Sequence, residues 1–225
     1  VRHAGASDRR RHRGGLLPSL PHIDMSVQML RQRGVAVDVD IENQYAAAWK
    51  VHPGPIAALD MTVEPDLSNA LPFIAAAMAT GGSVTIPDWP TETTQPGGQV
   101  PRLMQAMGGI CRLDADGLTV HGPSELAGLD VDLSDVGELT PVLAALCALA
   151  KSPSRLRGIG HLRGHETDRL AALATELNRA GGNVEETTDG LLINPARLAA
   201  PSRLTTTIEW QQLVRLWAWL CQKLS

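Results

Sequence analysis

The sequence has few aromatic residues, and neither sign of charge dominates it. Only 3% of the residues are aromatic, with one Tyr and one Phe, whereas 44% are hydrophobic. Aliphatic side chains must therefore fill the core, and 225 residues are enough to bury one large domain or two smaller ones. The net charge of −4 gives no support for a basic surface that binds nucleic acid.

Cysteines are also few, and long apolar runs are absent. Cys111, Cys147 and Cys221 lie far apart, whereas a disulfide framework or a zinc ribbon needs closer, paired spacing. We interpret them as reduced thiols of a cytoplasmic protein. No apolar run reaches the ~18 residues of a membrane span, and the basic N-terminal stretch lacks the apolar segment of a signal peptide.

What the sequence does contain is a repeat of roughly 70 residues. Amphipathic segments are each followed by glycine at Gly34, Gly108 and Gly181. The spacing of apolar residues predicts helices, and glycine supplies the left-handed residue that ends them. Asp116-Gly117 and Asp189-Gly190 then predict hairpin turns between paired strands.

A second element recurs at nearly the same spacing. The sequences DLSNALP from Asp66 and DVGELTP from Asp135 each place Pro six residues after Asp, before an Ala-rich apolar run. Pro in the first turn and small residues behind it predict buried, closely packed helices. Strands are expected at 83–87 and 154–159.

Together these elements predict units ordered strand, buried helix, strand, outer helix, strand, strand. Two units are nearly complete, at about 59–122 and 129–195, and residues 16–56 hold the latter part of another. The chain is therefore predicted to belong to the α/β class, with the pattern βαβαββ repeated.

Three segments resemble the 5-enolpyruvylshikimate-3-phosphate synthase family. They are PSLPHIDMSV (18–27), EPDLSNALPFIAAAMATGG (64–82) and HLRGHETDRLAALATELNRAGGNVEETTDGLLI (161–193). The last is the most specific, because it matches the R-x-K-E-T-D-R sequence of most members, with His in place of Lys. It resembles a bacterial subgroup that also carries V-G-E-L-T-P, found here from Val136 to Pro141. The resemblance covers about residues 16 to 204.

The resemblance implies an inside-out α/β prism, here incomplete, in which two domains of three units each are joined by hinge strands. Residues 1–62 would finish one domain, and residues 63–204 would supply two units of the other. The implied reaction transfers the enolpyruvyl group of phosphoenolpyruvate to the 5-hydroxyl of shikimate 3-phosphate and releases phosphate, as in chorismate and aromatic amino-acid biosynthesis. The resemblance also implies a monomeric enzyme with no cofactor or metal.

The same resemblance assigns roles to four residues near the reacting groups. Glu138 would accept the proton of the 5-hydroxyl, and Glu166 would take part in protonation. His165, in the Lys position, would contact shikimate 3-phosphate and move a proton, with a charge that depends on pH. Arg169 would hold the phosphoenolpyruvate carboxylate with its planar fork, three residues from Glu166 on a helix predicted to begin at Thr167.

Three further residues match positions that contact shikimate 3-phosphate, namely Ser19, His22 and His161. Every assignment has a plainer alternative. Glu138 could be a solvated turn carboxylate, Glu166 a charge at a helix N-terminus, and Arg169 a partner in a surface ion pair.

The residues are also compatible with other functions. His161 and His165 with a neighbouring Glu could bind zinc in a hydrolase, but the glycines at 158, 160 and 164 favour a loop over the helix that such a site needs. A non-catalytic repeat scaffold would account equally well for the even repeats. A sibling enzyme that acts on UDP-N-acetylglucosamine shares the prism, but the E-T-D-R sequence favours the shikimate enzyme.

The two ends do not resemble the family. Residues 205–225 hold three of the five tryptophans, where members carry a sequence near D-H-R-M. Codons exist for TTIEW that spell this sequence when read two bases later. We therefore expect a frameshift near residue 203 and an inactive fragment with exposed apolar helix faces. Residues 1–15, with five arginines, are interpreted in the same way, and the nucleotide sequence at both ends would test this.

Overall fold

The computed structural model describes residues 2–3, 8–13, 17, 20–43, 45–164 and 167–198. The chain divides into two compact units, Val1–Val63 and Glu64–Ser225. Within the described part, no helix is both long and apolar enough to cross a membrane.

The Val1–Val63 unit contains one helix and a three-stranded antiparallel sheet. The helix is α1 (Leu20–Gln32), and the strands are β2 (Asp8–Arg13), β3 (Val37–Asn43) and β4 (Ala46–Val51), in the order β2-β4-β3. A short pair is formed by β1 (Arg2–His3) and β5 (Pro55–Ile56).

The core of this unit follows from the spacing of apolar residues in α1. Ile23, Val27 and Leu30 recur at intervals of four and three residues and so share one helix face. This face packs with Val37 of β3 and Trp49 of β4. After α1 the chain turns through Gly34, whose φ is 78°, as the repeat predicted.

The Glu64–Ser225 unit begins with the first nearly complete repeat. Its elements are α2 (Leu67–Thr80), β6 (Ser83–Ile86), α3 (Val100–Ala106), β7 (Ile110–Asp114) and β8 (Gly117–His121). The strands form an antiparallel sheet in the order β6-β8-β7.

The second repeat has the same order of elements, preceded by one further strand, β9. It consists of β9 (Asp130–Asp132), α4 (Thr140–Ala148), β10 (Ser154–Arg157), α5 (Arg169–Arg179), β11 (Asn183–Glu186) and β12 (Leu191–Asn194). The sheet order is β11-β12-β10-β9, and β9 pairs with β10 in parallel. The hairpin strand β12 therefore bridges β10 and β11, as β8 bridges β6 and β7. The expectation of an α/β fold built on a repeated unit is confirmed.

The two inner helices explain how the unit is packed. Neither α2 nor α4 contains a charged residue, so both can be buried over most of their surface. They contact each other, and Leu71, Ile74, Leu143 and Leu146 are wholly shielded from solvent. The sheets lie outside these helices and share the same hydrophobic core, which is the inside-out arrangement.

Glycine at the hairpin turns has a steric reason. Gly117 has a φ of 114°, and a side chain there would overlap the carbonyl oxygen of Ile86. Gly190 stands at the matching turn, where a side chain would overlap the carbonyl oxygen of Leu156. Only glycine allows the turn to approach the neighbouring strand in both repeats.

Three details differ from the prediction. Pro72 lies inside α2 rather than in its first turn, because Asp66 caps the helix and starts it at Leu67; Pro141 does lie in the first turn of α4. The first strand predicted for the unit at 59–122 does not form, and its apolar residue Val63 is 81% exposed. Conversely, β2 forms within residues assigned to an aberrant end, and it pairs with β4 along its whole length.

Candidate active site

Glu138 lies where the inner helices of the two repeats meet. It is the middle residue of a 3-10 helix, Gly137–Leu139, that runs directly into α4. Ser68, in the first turn of α2, donates a hydrogen bond from Oγ to Oε1 of Glu138 over 3.2 Å. The half-buried carboxylate of one repeat is thus oriented by a hydroxyl of the other, so it does not lie on a solvated turn.

His161 is brought to the same place by a second 3-10 helix, Gly160–Gly164. Its Nε2 lies 2.8 Å from the position that a Cβ at residue 137 would occupy. Gly137 therefore makes room for the imidazole ring, one residue before Glu138. The ring therefore packs against the residue next to Glu138, although 23 positions separate Glu138 and His161 in the sequence. Ser68 and Gly137 were not assigned roles from the sequence.

The segment around His161 is more regular than expected. Glycines at 158, 160 and 164 predicted an open loop, but residues 160–164 form a 3-10 helix. Leu162 explains this, because it is buried in the core of the unit and its N–H donates to the carbonyl of Ile159 over 3.0 Å. Within the described residues, no group of three or more His, Cys, Asp or Glu side chains could hold a metal ion.

Arg169 is the first residue of α5 and is half-buried. The prediction that this helix begins at Thr167 is wrong by two residues, because Asp168 is the N-cap and accepts from Ala171 N over 3.0 Å. A helical turn shared by Glu166 and Arg169 was also predicted; α5 begins only at Arg169, and Glu166 lies outside the described residues. The position of Arg169, the residue that follows the cap, is instead determined by the start of the helix.

Arg163 is a further charged residue of this segment that the sequence reasoning left without a role. Its guanidinium donates to Asp168 Oδ2 (3.1 Å), to Glu186 Oε2 (2.5 Å) and to the carbonyl of Thr187 (3.0 Å). The hydrogen bond from Ala171 N lowers the pKa of Asp168, and the bond from Arg163 adds to this. The signal that could have found Arg163 is its place as the first residue of the R-x-K-E-T-D-R sequence.

Of the remaining candidates, only His22 is among the described residues. His22 is exposed in the first turn of α1, in the Val1–Val63 unit, and its carbonyl accepts from Ser26 Oγ over 3.1 Å. Ser19, His165 and Glu166 lie outside the described residues.

The described groups suit chemistry on an anionic substrate. A carboxylate at Glu138 can accept a proton, an imidazole at His161 can donate or accept a hydrogen bond, and a guanidinium at Arg169 can bind a carboxylate or a phosphate. Because Glu138 and His161 are both partly buried, their interactions are screened less by water than those of exposed groups.

Comparison with solved structures bears on the fold. An enolpyruvyl transferase, NikO from Streptomyces tendae, matches 96% of this chain and 49% of its own with a TM-score of 0.63 and 22% identity. An EPSP synthase from Acinetobacter baumannii matches 76% of this chain and 40% of its own, with a TM-score of 0.58 and 24% identity. At these identities the likeness shows the fold, and it confirms the predicted enolpyruvyl transferase architecture.

Comparison of sequences gives the family. A 3-phosphoshikimate 1-carboxyvinyltransferase from Kocuria rhizophila is 58% identical over 184 residues, which are 82% of this chain and 40% of that relative. The chain thus spans less than half the length of this relative. The model of the EPSP synthase (3-phosphoshikimate 1-carboxyvinyltransferase) family matches residues 4–208, and the chain belongs to that family.

Proposed function

We propose that this chain forms part of an enzyme that transfers the enolpyruvyl group of phosphoenolpyruvate to the 5-hydroxyl of shikimate 3-phosphate and releases phosphate. The observation that carries the proposal is the position of Glu138, which Ser68 orients and whose neighbour Gly137 contacts the ring of His161. Family membership supplies the substrates, and this arrangement supplies a group that can accept the hydroxyl proton.

The proposed roles follow from the chemistry of each group. Glu138 removes the proton as the 5-hydroxyl attacks the enol carbon, and His161 binds the same sugar. Arg169, at the start of α5, pairs with the phosphoenolpyruvate carboxylate. His165 and Glu166 serve the protonation of the methylene group and the contact with the shikimate phosphate, while Ser19 and His22 hold that phosphate.

We also propose that the chain alone turns over little. Two phosphates and two carboxylates need several cationic partners, and the chain spans 40% of the relative's length. Phosphate release from both substrates by the purified chain should be undetectable.

The division at Val63 supports assigning residues 1–62 and 63–204 to two domains of one enzyme. An intact enzyme that is monomeric and cytoplasmic is part of the same proposal, and the free Cys111 and Cys147 fit a reducing compartment.

A graft tests the proposed function directly. The matching 184 residues of the Kocuria rhizophila relative would be replaced by those of this chain, and phosphate release would be measured with both substrates. We expect activity, and we expect Glu138→Gln to lower kcat roughly 100-fold or more, the usual effect of removing a general base. Glu185→Gln, on the exposed side of β11, is the matched control.

The same graft tests the anion-binding role. Arg169→Lys keeps the charge but loses the planar fork, so the KM for phosphoenolpyruvate should rise about tenfold. Arg155→Lys, an exposed residue of β10, should leave KM unchanged. An inactive graft that folds normally would instead favour the repeat scaffold without catalysis.

A further inference from the structure

The side-chain amide of Gln95 forms hydrogen bonds from both of its ends to the segment that leads into α2. Its Oε1 accepts from the N–H of Leu67 over 3.1 Å. Its Nε2 donates to Glu64 Oε2 over 2.8 Å and to the carbonyl of Pro65 over 3.0 Å. These partners lie 28 to 31 positions earlier in the chain, so one half-buried side chain connects the turn before α3 to the start of α2.

The bond to Leu67 satisfies a donor that the helix cannot pair by itself. Leu67 is the first residue of α2 and is wholly buried, and the first N–H groups of a helix have no partner within it. Leaving such a buried group unpaired costs stability. Because Asp66 caps the same turn at Asn69 N over 2.9 Å, a local and a distant side chain together hold the start of α2.

Gln95 is itself held in place by its neighbours. Its backbone N–H donates to Thr93 Oγ1 over 3.0 Å, and that hydroxyl donates to Glu64 Oε2 over 2.7 Å. The carboxylate of Glu64 therefore accepts from Thr93 and Gln95 together, which closes a ring of three hydrogen-bonded residues. Gly97, two residues further on, is buried against Leu67, so the backbone next to Gln95 has little room to move.

The helix start that Gln95 holds also carries a residue of the candidate site. Ser68 directly follows Leu67, and its Oγ donates to Glu138 Oε1 over 3.2 Å. A single rotatable bond separates this oxygen from the backbone of Ser68, so the hydroxyl moves with the backbone. The bond is already long for one between two oxygens, and a small shift of the helix start would break it.

We propose that Gln95 is a positioning residue for Glu138, which acts by fixing the start of α2 and with it the hydroxyl of Ser68. The inference rests on the proposed function, since that function makes Glu138 the group that accepts the substrate proton. Gln95 touches no reacting atom in this scheme, because it acts through Leu67 and Ser68.

The chemistry of the side chain explains why glutamine stands at this position. An amide offers an acceptor to Leu67 N and donors to Glu64 and Pro65 at the same time. A glutamate would keep the acceptor, but it would place a second carboxylate against Glu64 and an oxygen against the carbonyl of Pro65. Exchanging the two groups, with Gln95→Glu and Glu64→Gln together, would restore one donor between them.

The first test measures amide hydrogen exchange in the full chain with Gln95→Ala. Gln99→Ala is the matched control, because Gln99 is an exposed residue at the end of the same turn, Pro96–Gln99. We expect exchange at the Leu67 amide to quicken roughly tenfold in Gln95→Ala, since its acceptor is lost and local opening becomes easier. The control should exchange at the parental rate.

A double-mutant cycle in the same chain tests the route through Ser68. Urea denaturation would give the loss of unfolding free energy caused by Ser68→Ala, once in the parent and once in Gln95→Ala. If Gln95 places the hydroxyl, this loss should be at most about half as large in Gln95→Ala, because residues that share an interaction are not additive. A purely structural role of Gln95 predicts equal losses.

The graft into the Kocuria rhizophila relative carries the same cycle to catalysis. Gln95→Ala and Ser68→Ala should each lower kcat roughly tenfold at an unchanged KM for phosphoenolpyruvate, as expected for a misplaced catalytic group. The double variant should lose no more than either single variant. Gln95→Glu should lower kcat in the same way, and adding Glu64→Gln should restore part of it, whereas Gln99→Ala should leave kcat unchanged.

The outcomes separate this inference from the proposed function. Parental exchange at Leu67 in a folded Gln95→Ala variant overturns the positioning role, and so do additive losses in the denaturation cycle. If Gln95→Ala does not fold, Gln95→Glu with and without Glu64→Gln gives the comparison, and equal exchange at Leu67 in these two variants overturns the role. An active graft that is insensitive to Glu138→Gln overturns the proposed function, while exchange and denaturation of the chain still decide whether Gln95 fixes Ser68.

Discussion

At the scale of single residues, the two copies of the repeat use one matching position differently. Asn69 in the first copy matches Glu138 in the second. In the first copy Asn69 only supports the cap, donating from both its backbone and its side chain to Asp66. In the second copy no side-chain cap forms, the turn tightens into a 3-10 helix, and Glu138 accepts from Ser68 instead.

This arrangement predicts the effect of Ser68→Ala. The substitution removes a hydrogen bond to a half-buried carboxylate, so the free energy of unfolding should fall by about 1 kcal/mol. Urea denaturation measures it. Ser83→Ala, at an exposed position of β6, is the control and should change stability by much less. Equal losses in the two variants would mean that the bond to Glu138 contributes nothing.

Cys147 predicts a pH dependence. Burial raises the pKa of its thiol to about 11, against about 8.5 in an unfolded chain. Between these values the unfolded chain has released the proton and the folded chain still holds it, so stability decreases as pH rises. The slope from this group is at most about 1.4 kcal/mol per pH unit.

The measurement for Cys147 is urea denaturation at several pH values from 8 to about 10.5, set by the two pKa values. Cys147→Ala should show a shallower decrease than the parent, because it has no thiol at that position to ionise. Cys111→Ala is the matched control; burial also raises the pKa of Cys111, which is only half-buried. Parallel curves for the parent and Cys147→Ala would contradict the prediction.

At the scale of elements, the sequence predicted what depends on local pattern. The outer helices α3 and α5, the glycines that follow them and the two hairpins all formed where apolar spacing and Asp-Gly turns placed them. The exact helix starts were harder to predict, because they depend on which Asp acts as cap. Asp66 and Asp168 cap helices, whereas Asp135 does not.

Elements that depend on distant partners were missed. The strand β2 has an arginine-rich sequence with little apolar alternation, and it forms by pairing with β4 about 38 residues away. Likewise, the sequence proposes a set of candidate site residues but not their arrangement. The contact of Glu138 with Ser68 arises from packing between the repeats, and that of Gly137 with His161 from packing within the second repeat; no local pattern encodes either. Arg163 was visible in the motif, but its three acceptors were not.

Packing between elements predicts that Gly97→Ala is costly. Gly97 lies in a buried 3-10 turn, Pro96–Gln99, and a Cβ there would overlap the Cβ of Leu67, the wholly buried first residue of α2. Because both Cβ atoms are attached directly to the backbone, the turn itself must move, and the free energy of unfolding should fall by about 1–3 kcal/mol. Gly164→Ala, with no atom within 4 Å of the new methyl, is the control in a denaturation experiment. A smaller loss in Gly97→Ala than in the control would contradict this.

At the scale of the whole molecule, the chain combines a large buried core with an exposed phenyl group. Leu67, Leu71, Ile74 and Met78 of α2 are almost completely buried, but Phe73 on the same helix is 64% exposed. No charged residue lies in α2 to keep this phenyl group in water. An exposed phenyl group on a charge-free helix favours contact with a second apolar surface.

We therefore expect the chain to self-associate through this helix and Phe73→Lys to weaken that association. Removing the phenyl group forfeits roughly 1.5–3 kcal/mol of apolar burial, so the dissociation constant should rise at least about tenfold. Sedimentation velocity over a range of concentrations measures it. Thr80→Lys adds the same charge at an exposed position of α2 but keeps Phe73. If both variants associate equally, charge rather than the phenyl group governs the contact, and Phe73 is not part of the surface involved.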